Sequence, residues 1–186
     1  MNVGFAMCGS FCTFESVFPA VESIAKKHTV IPIISTATSS IDSRFGSAQS
    51  HIDRLSQICG RTPLGSIEAA EPIGPKKLLD ALIIAPCTGN TLAKLAHSIA
   101  DGPVTLAAKS HLRNGRPILV AISSNDALAG AAENIGKLLA RKHYYFVPFR
   151  QDDPIGKPTS IVADFSMILP ALDLALEGKQ IQPILL

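Results

Sequence analysis

Four apolar runs, each ending in a cluster of small polar residues, constrain this chain more than any other feature. "VGFAMC" (Val3–Cys8) runs into "GSFCT", and "TVIPII" (Thr29–Ile34) runs into "STATSS". "ALIIAP" (Ala81–Pro86) runs into "CTGNT", and "PILVAI" (Pro117–Ile122) into "SSND". The runs are continuous rather than alternating, as strands buried on both faces require. Helical spacing separates them: Val17, Ala20, Val21 and Ile24 share one face, and Leu92, Leu95, Ala96 and Ile99 another. Strands alternating with helices predict a three-layer α/β/α, doubly wound fold with a mostly parallel sheet. With no linker, repeat or low-complexity tract, residues 1–186 read as a single domain, long enough to bury roughly 70% of the unfolded surface.

Finer expectations follow from turn and helix signals. Pro32 places the second strand toward a sheet edge, and Pro19 kinks the first helix or delays its start. Ser35–Ser50, rich in Ser, Thr, Asp and Gly, reads as a long functional loop. A helix through Ile52, Leu55 and Ile58 ends at Gly60, and the poorly periodic Arg61–Lys77 follows. Pro103 near the start and Gly115 past the end bracket a further helix. Another spans Ala127–Arg141, "YYFVPF" (Tyr144–Phe149) is the last strand, and a helix kinked at Pro170 spans Ser160–Glu177.

Ligands of open parallel sheets sit beyond the carboxyl ends of the strands, where all four polar clusters fall. Two or three clusters precede helix N-termini, whose unpaired N–H groups stabilise an anion by ~0.3–1 kcal/mol per helix. A phosphate therefore fits without Lys or Arg. Thr88, Asn90 and Thr91 are candidate donors, and Gly89 would let the backbone approach the ligand. Each turn alone reads more readily as an ordinary N-cap; four at one edge reverse that balance and favour a ligand cradle.

Other classes lack support. The net charge of +2 comes without any Lys/Arg stripe interleaved with aromatics, so nucleic acid is a poor candidate. GxGxxG, Walker A and GxSxG are absent. His28, His51, His97, His111 and His143 are scattered and read as surface or packing residues; Asp152 and Asp153 read as a solvated turn. Cys8, Cys12, Cys59 and Cys87 have no CxxC spacing and read as small buried thiols, with no metal site. With no signal-peptide pattern at "MNVGFAMCGSFC", the expected location is the cytoplasm.

"APCTGNTLAKLAHSIAD" and "GSFCT" resemble the signatures of the flavoprotein family that contains the homo-oligomeric flavin-containing cysteine decarboxylases and the flavin prenyltransferases. That resemblance implies a Rossmann-like flavoprotein fold and FMN as cofactor. It assigns Gly9, Ser10 and Phe11 to the FMN phosphate or ring, Ser35 to a hydroxyl contact, and Thr88, Gly89, Asn90 and Thr91 to the flavin-contacting turn. Ser123 falls where the prenyltransferases have an arginine. "ISSN" keeps only Asn125 of the decarboxylases' Pro-Ala-Met-Asn element, which makes Asn125 the substrate-binding candidate. Their catalytic histidine falls in "PIGPKK", at Gly74 or a neighbour, and their substrate-clamp cysteine motif has no counterpart; no catalytic residue is assigned.

A closer resemblance runs through "GSFCTFE", "AAKSHLRNGRP", "VPFRQDDP" and "ALEGKQIQPIL". It is to the B subunits of two-component synthases from endospore-forming bacteria, and places the protein in the mother cell of a sporulating bacterium. It implies an oxidoreductase that works with a separate, NADP-binding A subunit. Together the two would convert a dihydrodipicolinate-type intermediate to pyridine-2,6-dicarboxylate. A homotrimer or dodecamer is the implied assembly. The alternatives are a partner that completes the NADP-binding component without redox chemistry, and an independent flavin-dependent decarboxylase.

Overall fold

The computed structural model describes Met1–Leu186. Seven strands form one sheet: β1 (Asn2–Met7), β2 (Thr29–Ile34), β3 (Ala81–Cys87), β4 (Ile118–Ser124), β5 (Tyr144–Phe146), β6 (Phe149–Asp153) and β7 (Lys157–Ala163). Their order is β2-β1-β3-β4-β7-β6, with β5 also paired to β4. Strands β1 to β5 are mutually parallel, whereas β7 runs antiparallel to β4 and β6. The three-layer α/β arrangement is therefore as anticipated, with β2 on an edge as Pro32 required.

Eight helices accompany the sheet: α1 (Phe14–Ala25), α2 (Thr36–Ser40), α3 (Ala48–Cys59), α4 (Ile67–Ala70), α5 (Gly89–Ala96), α6 (Pro103–Leu112), α7 (Ala132–Leu139) and α8 (Ile168–Leu176). One hydrophobic core of 49 buried residues runs from Val3 to Ile181. Every residue of β3 is buried, as a strand covered on both faces must be. Pro19 lies on the exposed side of α1, so the carbonyl it leaves without a partner faces water and the helix continues. Gly60 ends α3 at φ +66° and Gly115 follows α6 at φ +67°, both left-handed positions that disfavour a side chain.

Several expectations need correction. Ser35–Ser50 is not one long loop: Ser35 caps α2, Ser47 caps α3, and each accepts a bond from a backbone N–H three residues on. The helix after β4 begins at Ala132, because Ala129 and Ala131 both donate to the Asp126 carbonyl in tight turns. "YYFVPF" is two strands, not one. Pro148 cannot donate to a ladder, so the run breaks there: β5 pairs with β4, and β6 turns to pair with β7. β7 itself occupies residues assigned to the last helix, and Pro170 falls in the first turn of α8, where its missing N–H costs nothing. Helix α5 stops at Ala96, which leaves Ile99 off its buried face and half exposed.

Candidate functional site

β1 lies between β2 and β3, so the chain leaves β1 in one direction and returns on its other side. This topological switch point opens a crevice beyond the carboxyl ends of β1 and β3. Gly9 and Thr88, which follow those strands, each line two adjoining hollows. The first, about 320 Å³, also takes in Ser35, Asn90, Thr91 and the start of α6 at Gly102–Thr105. The second, about 240 Å³, takes in Ser10, Gly89, Ser123, Asn125 and the β6–β7 hairpin.

The four turns thus converge on one sheet edge but divide between two hollows. The Ser10 and Ser123 hydroxyls hydrogen-bond at 2.8 Å across 113 residues of sequence, tying the turn after β1 to the end of β4. Ser35 Oγ accepts from the Thr38 N–H at 3.2 Å, and Thr88 Oγ1 from the Thr91 N–H at 3.3 Å. Both side chains are therefore helix caps as well as lining. The N-termini of α5 and α6 meet at the first hollow, and at the latter Thr105 Oγ1 accepts from the Gly102 N–H at 3.3 Å. Asn125 is held by β7: its carbonyl accepts from Thr159 Oγ1 at 2.6 Å, and its Oδ1 from Ser160 Oγ at 3.4 Å.

Two residues sit differently from expectation. The space beside Gly89 is filled by Ser124 Oγ and Asp126 Oδ1, which a built Cβ would meet at 2.8 and 2.7 Å. Gly89 therefore permits close approach of the turn after β4, and it also lines the second hollow. Phe11 borders neither hollow; its ring packs 5.4 Å from Phe14 and 6.4 Å from His51.

Fixed charge at the hollows is balanced. Lys94 pairs with Asp101 at 2.8 Å beside the first, and Lys157 with Asp152 at 3.0 Å beside the second. The hydrogen bond from Lys94 holds the Asp101 carboxyl below its usual range, and that to Asp152 raises Lys157. Asp152, read as a solvated turn, in fact belongs to the rim. Burial pushes the Cys8 thiol up to about 11, against smaller opposing effects of hydrogen bonds from Thr91 and Thr88, and pushes Cys87 well above the ordinary range. These are neutral, inert thiols beneath the site. Cys12, by contrast, is exposed on the second hollow rather than buried.

Gly102–Thr105, Lys94 and Asp101 were absent from the residues anticipated at the site. The signal was Pro103 at a helix start, which marks an N-terminus without revealing that α6 points it at the same crevice. Gly74, where the resemblance places a catalytic histidine, borders neither hollow. It is pressed against α6, with Ser110 Cβ 2.8 Å from where a side chain would begin. A histidine has no room there.

A mostly parallel sheet with a hydroxyl-rich, charge-balanced crevice at its switch point defines a Rossmann-like α/β protein, and the Flavoprotein family model matches residues 1–164. The chain belongs to that family. Within it, the chain is 40% identical over 185 residues to the B subunit of dipicolinate synthase from Bacillus subtilis (strain 168), covering 99% of this chain and 92% of the relative. The crystal structure of the dipicolinate synthase B subunit from Bacillus halodurans C superposes with a TM-score of 0.91 at 41% identity, covering 100% of this chain and 95% of that one. The FMN-dependent cysteine decarboxylase SpaF shares the fold at a TM-score of 0.69 and 20% identity, with 95% of each chain covered.

Proposed function

We propose that this chain is the flavin-binding half of a dipicolinate synthase. It works with a separate NADP-binding component, the A subunit, to oxidise a dihydrodipicolinate-type intermediate to pyridine-2,6-dicarboxylate. The carrying observation is the pair of adjoining hollows at the β1/β3 switch point, one of them facing two helix N-termini. The first hollow suits a phosphate: its N–H groups and hydroxyls donate, and its one cation is already neutralised by Asp101. The second hollow, floored by the Ser10–Ser123 pair and bounded by Asn125, suits the ring and the substrate.

Aromatisation of the substrate removes one hydride equivalent and one proton, and NADP on the partner component is the final acceptor. FMN, when bound, supplies a two-electron carrier between the two. This chain's own residues would bind and orient: α5 and α6 would hold the phosphate, Ser10 and Ser123 fix the turn after β1 against β4, and Asp152 and Lys157 of the hairpin form one rim of the second hollow. Neither buried thiol enters the chemistry, since burial keeps both protonated.

The test is a visible-absorption titration of the purified chain with FMN, followed by reconstitution with the NADP-binding component. Saturable binding with a perturbed flavin spectrum, and dipicolinate formation that needs both chains, is the expected result. No flavin binding removes the carrier role and leaves a partner without redox chemistry; full activity of the NADP-binding component by itself removes both.

A further inference from the structure

A third hollow, about 330 Å³, backs onto the first through Thr105. Its walls are unlike those of the other two. Leu95, Leu112, Ile99 and Tyr144 give it an apolar surface, and Lys109, Arg113 and Arg141 give it three cations with no carboxylate among the lining residues. Lys109 in α6 and Arg113 at its C-cap stand one turn apart and join no ion pair. Arg141 arrives from another element and is fixed by donating to the Leu95 carbonyl at 3.0 Å and the Ala96 carbonyl at 2.6 Å. Cations at the C-terminal end of α6 complement its dipole, which accounts for Lys109 and Arg113. Arg141 caps the C-terminal carbonyls of α5 in the same way; neither helix end accounts for the apolar floor or for three cations gathered on one hollow.

We infer that this hollow binds a compact carboxylate with a flat apolar body, such as an aromatic mono- or dicarboxylic acid, independently of the flavin site. The volume lies at the small end of ligand pockets, which suits a compact occupant. Guanidinium groups match carboxylate geometry in pairs of parallel hydrogen bonds. An apolar body covers the Leu95, Leu112 and Tyr144 surfaces, and Ile99, left half exposed beyond the end of α5, closes the rim. The Tyr144 ring is buried while no hydrogen bond within the chain engages its hydroxyl, which leaves a donor for one carboxylate oxygen. Burial pushes that phenol up to about 12, so it remains a donor throughout the neutral range.

The experiment is calorimetric titration of the full chain, in metal-free buffer, with benzoate, pyridine-2,6-dicarboxylate and the uncharged isostere benzamide, with and without saturating FMN. The acids bind saturably and benzamide does not. Arg113→Ala and Lys109→Ala each weaken the acids by roughly 3–10-fold, Tyr144→Phe weakens them with the fold intact by circular dichroism, and FMN leaves them unchanged. The inference is overturned if neither acid binds, if benzamide binds equally, if the variants bind as wild type does, or if FMN displaces the acid. It is also overturned if Arg113→Glu alters the assembly state of a chain that binds no acid, because the hollow is then a protein interface.

Discussion

Two glycines in helices, Gly89 and Gly136, respond in opposite directions to the same substitution. On the exposed face of α7, Gly136→Ala meets nothing within 4 Å and gains helix propensity, stabilising the chain by about 0.5–1 kcal/mol. At the start of α5, Gly89→Ala drives its new methyl into Ser124 Oγ at 2.8 Å and Asp126 Oδ1 at 2.7 Å. Those two atoms are hydrogen-bonded at 2.5 Å at the surface, so relieving the clash means parting a bond worth about 0.5–1.5 kcal/mol. At this first helical position no interior propensity gain offsets the clash, so Gly89→Ala costs about 0.5–1.5 kcal/mol. It also shifts the turn that carries Asn125, so under the proposed flavin role it weakens FMN binding where Gly136→Ala does not. Urea midpoints at constant m-value measure the stabilities, and absorption titration measures the flavin. Asp126→Ala removes one of the two obstacles, so the cost of Gly89→Ala shrinks in that background, a coupling of about 0.5 kcal/mol or more. Equal stability of Gly89→Ala and wild type would refute the close-approach role of Gly89.

Acid pH and capping give two further expectations. His111 is fully buried, with Nε2 3.0 Å from the Pro117 carbonyl oxygen; burial lowers its pKa from 6.5 to about 4 despite that hydrogen bond. The unfolded chain therefore takes up this proton first, so the contribution is whole above pH 6.5 and is lost as pH falls toward 4, by about 3 kcal/mol in all. His111→Gln flattens the difference between urea midpoints at about pH 7 and about pH 4.5 relative to wild type; an unchanged difference refutes the assignment. Thr88→Ala removes the α5 cap and costs about 1 kcal/mol, whereas Thr88→Ser keeps it, which a thermal melt of the three proteins resolves.

The strand interiors were legible because burial on both faces writes itself as unbroken apolar runs: β2 spans the residues anticipated, and β1 and β4 differ from anticipation only at their ends. Misreadings cluster where local signals compete with distant pairing. β7 exists because Ile161 and Val162 face Ser124 and Ser123 of β4, a partnership that no periodicity in "KPTSIVA" announces. The end of α5 was overrun because Ile99 continues its apolar spacing, whereas the chain turns at Ser98 with φ +59°. At the site, Ser10, Ser35, Thr88, Asn90, Ser123 and Asn125 all reach the crevice, since position after a parallel strand fixes the edge on which a residue falls.

The sequence by itself determined the class of fold, the edge at which the polar turns gather and the family to which the chain belongs, because strand burial, strand polarity and motif are written in consecutive residues. Only the tertiary structure decided that the turns form two hollows rather than one, that α6 turns its N-terminus into the first, that Gly89 accommodates Asp126, and that cations from α6 and from the end of α7 surround a third hollow. Each of these depends on distances between segments far apart in the chain. Such distances are set by how the helices pack across the sheet, and local propensity carries no record of them.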